Sequence, residues 1–443
     1  MILLTRTARL SGSHFNRLSA QISMSMATYS TNEVTSPNTI KVSTYNVLSS
    51  HLSEADYFTH CDPMHLDPKR RLIELKKKLD VEVAQGAIIC LQEVSTLWSG
   101  ALTTYFAGKG YTFCTGLYGN KFNGYMGVGM AVPLTKYDIL DVDITCIADT
   151  KRIVRNNRTP QNFIEEWLQY FRRQYWEPLS NLLIRWNLLS KPPEDPWQLA
   201  CSRFNQMVSM RLAPKNAGGG GAFVVGTYHM PCMFRTPAVM MIHCALSAQH
   251  IARYSRGLPY VFCGDFNVKP SSPMYSMMTH GRVLDDSCEE SPLRFTPASD
   301  PWRAVLSQPL VSAYAIANKA QGGVSDEFTD YRGEPDFTNH ARIKDEEPFI
   351  DTLDYIWLGN SMAVDPADRA FNNQGRGRSG SNPQEPSLVP SGVERVWKLQ
   401  SVLPLKHRKD VKGPLPTQEE PSDHVLLSAN LLLVTTGTMG DKI

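Results

Sequence analysis

Short apolar runs and amphipathic stretches alternate along the chain from Ile40 onward. Eight runs are typical of β-strands: IKVSTYNVL, AIICLQEV, MGVGMAVP, QMVSMRL, AFVVGTYHM, LPYVFCGDFN, LDYIWLG and HVLLSANLLLV. The run AIICLQEV is continuous rather than alternating, which indicates a strand buried on both faces. The stretch from Pro68 to Gly86 instead has the pattern of an amphipathic helix, with proline at its start and glycine at its end. The chain is therefore predicted to be an α/β protein.

Three segments interrupt this pattern. Apolar and aromatic residues recur at helical spacing within residues 150–214, which predicts a helical insertion. Its aromatic residues could form a lid or stacking surface, but packing of the helix onto the domain is favoured. The glycine-rich segment Asn216–Ala222 lacks the Lys-Ser/Thr of a phosphate-binding loop and is interpreted as a hairpin-like loop. Residues 372–392 are rich in Gly, Ser and Pro, and are predicted to be a flexible loop.

Composition narrows the class of protein. The chain has 443 residues, 42% of them hydrophobic and 20% charged, which is typical of a globular protein with a sizeable core. No apolar run approaches the roughly 18 residues of a transmembrane helix, so no membrane partner is expected. The net charge of +2 gives no global argument for nucleic acid. Nine scattered cysteines without a CxxC pair exclude a disulfide framework and a zinc site, and favour a reducing compartment.

The first 38 residues differ in composition from the rest. From Met1 to Asn32 there is no acidic residue, while Arg6, Arg9 and Arg17 lie among Ser, Thr and small apolar residues. This composition is typical of a transit peptide, and the alternative is an untargeted disordered extension. We predict a mitochondrial protein, with a cytoplasmic or nuclear location as the alternative.

Polar groups capable of chemistry lie at the ends of six of the predicted strands. They are Asn46 in TYNVLSS, Glu93 in ICLQEVS, His229 in GTYHMPC, Asp265 and Asn267 in FCGDFNVKP, Asp354 in DTLDYIWL, and Asp423 and His424 in PSDHVLL. Any one of them alone is adequately explained as a cap or a turn residue. Taken together, carboxylates at strand ends can converge at one edge of a sheet, where they would suit a hard divalent cation that prefers oxygen ligands.

These segments resemble the endonuclease/exonuclease/phosphatase superfamily, which has the deoxyribonuclease I-like fold. The blocks YNVLSS, CLQEV, GDFN, FTNHARIKDEEPFIDTLDYIWL and PSDHVLL are similar, in the same order, to those of carbon-catabolite-repressor-type deadenylases, nocturnin and Angel-like proteins. The resemblance implies a two-sheet α/β sandwich with outer helices over residues 39–435. It also implies a metal-dependent phosphodiester hydrolase. We predict a 3′-to-5′ exoribonuclease that acts on poly(A)-type single-stranded RNA or an adenine-containing nucleotide.

The resemblance also implies a metal site. Glu93 would ligate Mg²⁺ directly, with Mn²⁺ as an alternative ion. Asn46 and Asp423 would complete the metal shell, partly through water. Bound at this place, the ion would neutralise the anionic transition state of phosphodiester hydrolysis as a Lewis acid.

Catalytic roles are implied for five further residues. Asp265 would orient and deprotonate the attacking water, and Asn267 would hold the phosphate. His424 would stabilise charge on the phosphate, with its tautomer fixed by Asp354. His229 would contact the scissile phosphate.

Some questions stay open at this stage. The sequence TYHMPC replaces the family's Thr-His-Leu pattern, so the partner of His229 is undetermined. Phe349 matches an aromatic residue that stacks on a base, but periodicity alone favours a core position. No leucine-rich-repeat period is present, so no docking module of that kind is expected.

Alternative activities share the same metal centre. They are phosphatase or phosphodiesterase activity on 2′,5′-oligoadenylate, on an RNA terminal phosphate or on NADP(H). A non-catalytic RNA-binding scaffold is disfavoured, because such a protein would be free to lose Glu93 and Asp265, and both are present.

Overall fold

The apolar runs of the sequence form the central strands of two β-sheets. The computed structural model of the chain describes, apart from isolated positions, residues 39–151, 195–215, 221–285, 290–296, 300–320, 333–360 and 393–437. Its strands are β1 (Thr39–Asn46), β2 (Ile88–Val94), β3 (Tyr111–Leu117), β4 (Gly127–Pro133), β5 (Tyr137–Cys146), β6 (Gln206–Pro214), β7 (Phe223–His229), β8 (Tyr260–Asp265), β9 (Val311–Ser312), β10 (Asn339–Ala341), β11 (Phe349–Asp351), β12 (Asp354–Gly359), β13 (Val393–Val402) and β14 (Leu427–Gly437). The helices are α1 (Pro63–Leu66), α2 (Pro68–Ala84), α3 (Thr96–Gly108), α4 (Pro196–Cys201), α5 (Pro237–Ser255), α6 (Pro273–His280) and α7 (Ala313–Ala320).

Each sheet has six strands and contains one parallel pair near its middle. The first sheet has the order β13-β14-β1-β2-β4-β3, and the second has the order β5-β6-β7-β8-β12-β9. Strands β1 and β2 are parallel, as are β7 and β8. Strand β12 runs antiparallel to β8, and the short strands β10 and β11 pair separately. The carboxyl ends of four central strands and the amino end of β12 therefore provide the positions from which a site can be built.

The two sheets pack face to face, and helices cover their outer faces. In β2, Cys90 points into the core between the sheets, whereas Ile89 and Leu91 pack in a separate cluster with residues of α2 and α3. In β8, Cys263 lies in the core between the sheets, whereas Phe262 packs with residues of α5. Both faces of these strands are buried, which is why their sequences are continuously apolar. The predicted two-sheet α/β sandwich with outer helices is confirmed.

Helix α5 packs on the second sheet and was not singled out from the sequence. It begins at Pro237, a residue that suits the first helical position. Most of its residues are buried, including both faces around His243 and Cys244, so it lacks the polar stripe by which an amphipathic helix is recognised. None of the helices in the described ranges is long and apolar enough to cross a membrane.

The described residues from Ile40 onward belong to one compact unit. The predicted extension at residues 1–38 and the predicted loop at residues 372–392 lie outside the described residues, as do residues 152–173 and 175–194 of the predicted insertion. Of the remaining insertion range, Pro196–Cys201 is helical, but Gln206–Pro214 is strand β6 of the second sheet. The range 150–214 therefore overlaps the sandwich at its end, because β6 pairs with both β5 and β7.

Candidate active site

The site forms where strand ends from both sheets meet. In the first sheet, Asn46 is opposite Gln92, so Asn46 and Glu93 leave the sheet at the same end. In the second sheet, His229 is opposite Asp265 in the parallel pair. Strand direction thus brings together side chains that are far apart in sequence.

Asp265 is the centre of this arrangement. Its carboxylate is 2% exposed, and Oδ2 accepts a hydrogen bond of 2.9 Å from Nδ2 of Asn46. The same Oδ2 lies 3.6 Å from Nε2 of His229 and 3.7 Å from Nε2 of His424. Oδ1 accepts the backbone N–H of Asn267 at 2.9 Å. One buried carboxylate therefore faces two imidazoles and is held in place by two amide groups.

Asn46 joins the two sheets at the site. Its Nδ2 also donates to Oε1 of Glu93 at 3.0 Å, and its Oδ1 accepts the backbone N–H of Leu48 at 3.0 Å. The other carboxylate oxygen of Glu93 accepts the backbone N–H of Ser49 at 3.0 Å. A single amide thus bridges one carboxylate from each sheet, and these hydrogen bonds orient both carboxylates.

Three residues at the site have left-handed backbone conformations, which residues other than glycine rarely adopt. Glu93 has φ of 59°, Asn267 has φ of 51° and Leu48 has φ of 52°. Left-handed backbone at a residue other than glycine costs on the order of 1–3 kcal/mol and persists only where the surroundings enforce it. The hydrogen bonds that surround Glu93 and Asn267 provide that constraint. The side-chain amide of Asn267 donates to the carbonyl of Met230 at 2.9 Å.

His424 is paired with Asp354 in a buried contact. Nδ1 of His424 lies 2.7 Å from Oδ2 of Asp354, which also accepts the hydroxyl of Thr338 at 2.7 Å. Burial raises the pKa of the Asp354 carboxyl to about 6. Burial by itself would lower the pKa of His424, but the carboxylates of Asp354, Asp265 and Asp423 raise it well above its usual value. At neutral pH the pair is accordingly an imidazolium and a carboxylate.

The imidazolium of His424 also relieves a conflict of charge. Asp354 lies directly opposite Asp265 in the antiparallel pair of β12 and β8, and like charges at such positions are destabilising. His424 contacts Asp354 through one ring nitrogen and faces Asp265 with the other. The cation therefore stands between two carboxylates that would otherwise repel each other.

The partner of His229, left open by the sequence, is Tyr118. The Tyr118 hydroxyl lies 3.0 Å from Nδ1 of His229, and Nδ2 of Asn205 donates to the His229 carbonyl at 2.8 Å. Burial raises the pKa of Tyr118 well above its usual value, and the carboxylates of Glu93 and Asp265 add to this effect. The hydroxyl of Tyr118 is thus neutral. When it donates to Nδ1 of His229, the ring proton of His229 lies on Nε2, which faces Asp265.

The donor set fits a hard divalent cation. Glu93, His229 and Asp265 each offer a ligand atom within 4.8 Å of the others, and Asp265, Asp354 and His424 form a second such group. Glu93 and Asp265 supply the anionic oxygens that Mg²⁺ and similar ions prefer. The excess of buried carboxylates over the single imidazolium favours a bound cation at the Glu93 end of the site.

Asp423, the third predicted metal ligand, lies outside both of these groups. Its Oδ2 accepts from Nδ2 of Asn339 at 3.3 Å, and its side chain is half-buried. Burial raises the pKa of Asp423, and Glu93 raises it further. The structure therefore places Asp423 near the Glu93 carboxylate in an environment that favours a cation, but not within the central cluster.

Phe349 lies beside the site rather than in the core. Its ring is half-buried and belongs to none of the buried clusters of the described residues. Nζ of Lys269 stands 4.8 Å from the ring centre and pairs with Asp351 at 2.8 Å. Strand β10, which pairs with Phe349 and its neighbours, forms a bridge to His424 through Asn339. The ring is thus partly exposed to solvent near His424, with the Lys269 ammonium over one of its faces.

Two supporting residues besides Tyr118 were not found from the sequence. Thr338 lies within the quoted block FTNHA, but nothing in its spacing indicated the hydrogen bond to Asp354. Arg71 is 1% exposed, and its Nη2 donates to the carbonyls of Val47 and Leu48 at 2.6 Å each. It also donates from Nε to the carbonyl of Pro421 at 2.7 Å. A buried arginine on an amphipathic helix has no local signal, since its partners come from two distant loops.

Comparison with known proteins agrees with this geometry. The profile of the Endonuclease/Exonuclease/phosphatase family matches residues 43–442 of the chain. The chain belongs to this family. The family's members are hydrolases that act on phosphoric esters and generally depend on a divalent metal. The resemblance noted from the sequence blocks is thereby confirmed.

Three known proteins are similar to the chain in sequence or in fold. The chain is 21% identical over 415 residues to mouse 2′,5′-phosphodiesterase 12, covering 90% of the chain and 53% of that protein. It is 24% identical over 347 residues to Arabidopsis thaliana carbon catabolite repressor protein 4 homolog 1, and the match covers 73% of the chain and 51% of that protein. The chain thus spans about half the length of these relatives. The crystal structure of ANGEL2, a 2′,3′-cyclic phosphatase, in complex with adenosine-2′,3′-vanadate has the same fold, with a TM-score of 0.58. The two proteins are 17% identical, and the match covers 89% of this chain and 95% of the ANGEL2 chain.

Replacement of Glu93 by Gln tests the metal site. Glu93→Gln keeps the shape of the side chain but removes the anionic charge that a hard cation needs. We expect kcat/KM on a chromogenic phosphodiester to fall by roughly 10²–10³-fold, as for loss of one preorganised electrostatic group. The melting temperature should stay close to that of the parent. Glu54→Gln, at an exposed glutamate, is the matched control. Near-normal turnover of Glu93→Gln at saturating Mg²⁺ would contradict the assignment.

The pairing of Asp354 with His424 predicts non-additive loss of activity. Asp354→Asn is expected to lower kcat by roughly 10²–10⁴-fold, because His424 loses its charge partner and its fixed tautomer. His424→Ala should cause a loss of similar size. The double variant should be little worse than either single variant, since residues that act as a unit are not additive. Steady-state kinetics of all four proteins measure this, and a fully additive double variant would show that the two residues act separately.

Proposed function

We propose that the chain is a Mg²⁺-dependent 3′-to-5′ exoribonuclease that acts on poly(A)-type single-stranded RNA. The observation that carries the proposal is the position of Asp265. Its Oδ2 accepts a hydrogen bond from the side-chain amide of Asn46 and faces the imidazoles of His229 and His424. The same amide of Asn46 also donates to Glu93. A carboxylate between two histidines and beside a cation site is suited to hydrolysis of a phosphodiester.

The hydrogen bonds of the site suggest the roles of its residues in this reaction. Asp265 would accept the proton of the attacking water, and its orientation is already set by Asn46 and Asn267. His424, held as an imidazolium by Asp354, would donate to an oxygen of the phosphate. Bound Mg²⁺ would supply Lewis-acid stabilisation of the anionic transition state, held by Glu93 with Asn46 and Asp423 nearby. Preorganisation of these groups supplies much of the catalysis.

The substrate class is supported by the surroundings of the centre. Phe349 is a half-exposed aromatic ring with the ammonium of Lys269 over its face, next to strands that contact His424. Such a ring suits base stacking, and the ammonium suits a nearby phosphate. Two of the relatives, 2′,5′-phosphodiesterase 12 and the 2′,3′-cyclic phosphatase ANGEL2, have names that refer to nucleotide phosphoesters. A phosphatase or phosphodiesterase acting on a terminal phosphate is the alternative, favoured by the fold similarity to ANGEL2.

A product assay on defined substrates distinguishes these activities. We expect 5′-labelled oligo(A) to be shortened stepwise from its 3′ end in the presence of Mg²⁺, and to stay intact in EDTA. Oligo(U) and oligo(C) should be shortened more slowly. The same assay includes 2′,5′-linked oligo(A), oligo(A) with a 2′,3′-cyclic phosphate end, and NADP(H). Removal of the terminal phosphate alone, or exclusive cleavage of the 2′,5′ linkage or of NADP(H), would replace the exoribonuclease assignment.

Truncation of Phe349 is expected to affect base preference. Stacking of a base on an aromatic ring is worth roughly 1–3 kcal/mol, or about 5- to 150-fold in affinity. Phe349→Ala should therefore weaken oligo(A) cleavage within that range, with a smaller effect on a chromogenic phosphodiester. Phe58→Ala, at a buried core phenylalanine, is the contrasting control and should lower the melting temperature strongly. Equal losses on both substrates together with a large drop in melting temperature of Phe349→Ala would refute stacking.

A further inference from the structure

Exposed aromatic side chains gather around the site. Within the described ranges, six Phe and Tyr side chains are between 40% and 79% exposed: Tyr57, Phe122, Tyr125, Phe204, Phe234 and Phe295. Phe295 lies on a turn near the outer helices, since its neighbour Thr296 accepts from the ring N–H of Trp197 in α4. Four of the others, Phe122, Tyr125, Phe204 and Phe234, lie on segments that hydrogen bonds tie to the residues of the site. Single exposed apolar residues are ordinary, but a group of them around one site indicates a binding surface.

Two of these rings are on the turn between β3 and β4, next to Glu93. Ser49 donates from Oγ to the carbonyl of Asn123 at 2.8 Å, and its backbone N–H donates to Glu93. Phe122 and Tyr125 therefore stand on a loop that is tied to the segment holding the metal-site carboxylate. Phe122 is the most exposed of the six, at 79%.

Two more rings adjoin His229. Phe204 precedes Asn205, whose side chain donates to the His229 carbonyl at 2.8 Å. Phe234 is on the loop that follows His229, and this loop is fixed at Met230, whose N–H donates to the Asp265 carbonyl at 2.9 Å. Both rings are thus presented at the strand end where His229 lies. We call Phe122, Tyr125, Phe204 and Phe234 the rim.

The rim and Phe349 occupy opposite ends of the site. At the site edge of the second sheet, Asp265 on β8 has His229 on β7 at one side and Asp354, the partner of His424, on β12 at the other. The rim adjoins the His229 end, whereas Phe349 belongs to the strands that contact the His424 end. A phosphodiester bound at Asp265 would therefore have the rim on one side and Phe349 on the other.

The charge of the rim suits a polyanion. The three segments that carry it, residues 118–126, 202–205 and 230–236, contain no Asp or Glu. Lys121 precedes Phe122 and Arg235 follows Phe234, and both cations are exposed. Aromatic rings interleaved with cations are the arrangement by which proteins bind single-stranded nucleic acid, since bases stack on the rings and phosphates pair with the cations.

We propose that the rim stacks the bases of the single-stranded polynucleotide on the 5′ side of the scissile phosphate, while Phe349 receives the terminal nucleotide that is released. The proposal rests on the proposed function and extends it, because it makes the substrate a strand of several nucleotides rather than a mononucleotide. It follows that affinity increases with strand length until the rim is filled. A substrate that ends at the scissile phosphate would not contact the rim.

Binding to a non-cleaving variant tests the rim apart from catalysis. In a Glu93→Gln background, fluorescence anisotropy would compare a 5′-labelled oligo(A) decanucleotide with the dinucleotide. The decanucleotide should bind more tightly. Phe122→Ala with Phe234→Ala should weaken its binding by about 5- to 150-fold for each stacked base lost, and should affect the dinucleotide much less. Phe122→Trp should retain tight binding, and Phe295→Ala, at an exposed ring away from the site, is the matched control.

The outcomes separate the rim from the proposed function. Equal affinity for the two oligonucleotides, or unchanged decanucleotide binding by the double variant, would contradict the proposal that the rim stacks bases. So would an equal loss in Phe295→Ala. If the double variant loses affinity but the wild-type protein leaves labelled oligo(A) intact with Mg²⁺, the rim is a nucleic-acid-binding surface and the exoribonuclease assignment fails. If oligo(A) is shortened normally while the rim variants bind the decanucleotide as tightly as the parent does, the proposed function stands and the base-stacking role of the rim is wrong.

Discussion

The side-chain amide of Asn46 is the contact on which the site depends. It donates to Glu93 on its own sheet and to Asp265 on the opposite sheet, so it sets the separation of two carboxylates that would repel each other. His424 plays the same part between Asp265 and Asp354. Buried like charges are costly unless donors or cations compensate them. The site is therefore an alternation of anionic and donor groups across the space between the sheets.

A second polar contact joins the two sheets beneath the site. One step below the site, Gln92 donates to Thr44 and to Thr227 at 3.0 Å each, which links the sheets again. The rest of the core between the sheets is apolar. The left-handed backbone at Glu93 and Asn267 is held by hydrogen bonds of their own side chains and neighbours. A site held in this way needs little reorganisation when charge develops in a transition state.

The loops, by contrast, determine what reaches the centre. Relatives named for 2′,5′-phosphodiester and 2′,3′-cyclic phosphate substrates match the chain across most of its length. One phosphate-hydrolysing centre can therefore serve different nucleotides, and the surrounding surfaces make the choice. We propose that in this chain those surfaces are the rim near His229 and the ring of Phe349 near His424. Both carry aromatic groups with neighbouring cations, so both ends of the site suit bases and phosphates.

The sequence by itself determined the central strands and the polar residues at their ends. Runs such as that of β2 are visible because a strand buried on both faces is continuously apolar, and Glu93 stands out as the carboxylate that ends it. Edge strands such as β5 lack that signal, because much of their surface is exposed. Only the tertiary structure decided that Tyr118 partners His229, and that Phe349 lies outside the core. Such contacts join residues that can be more than a hundred positions apart, so no local periodicity records them.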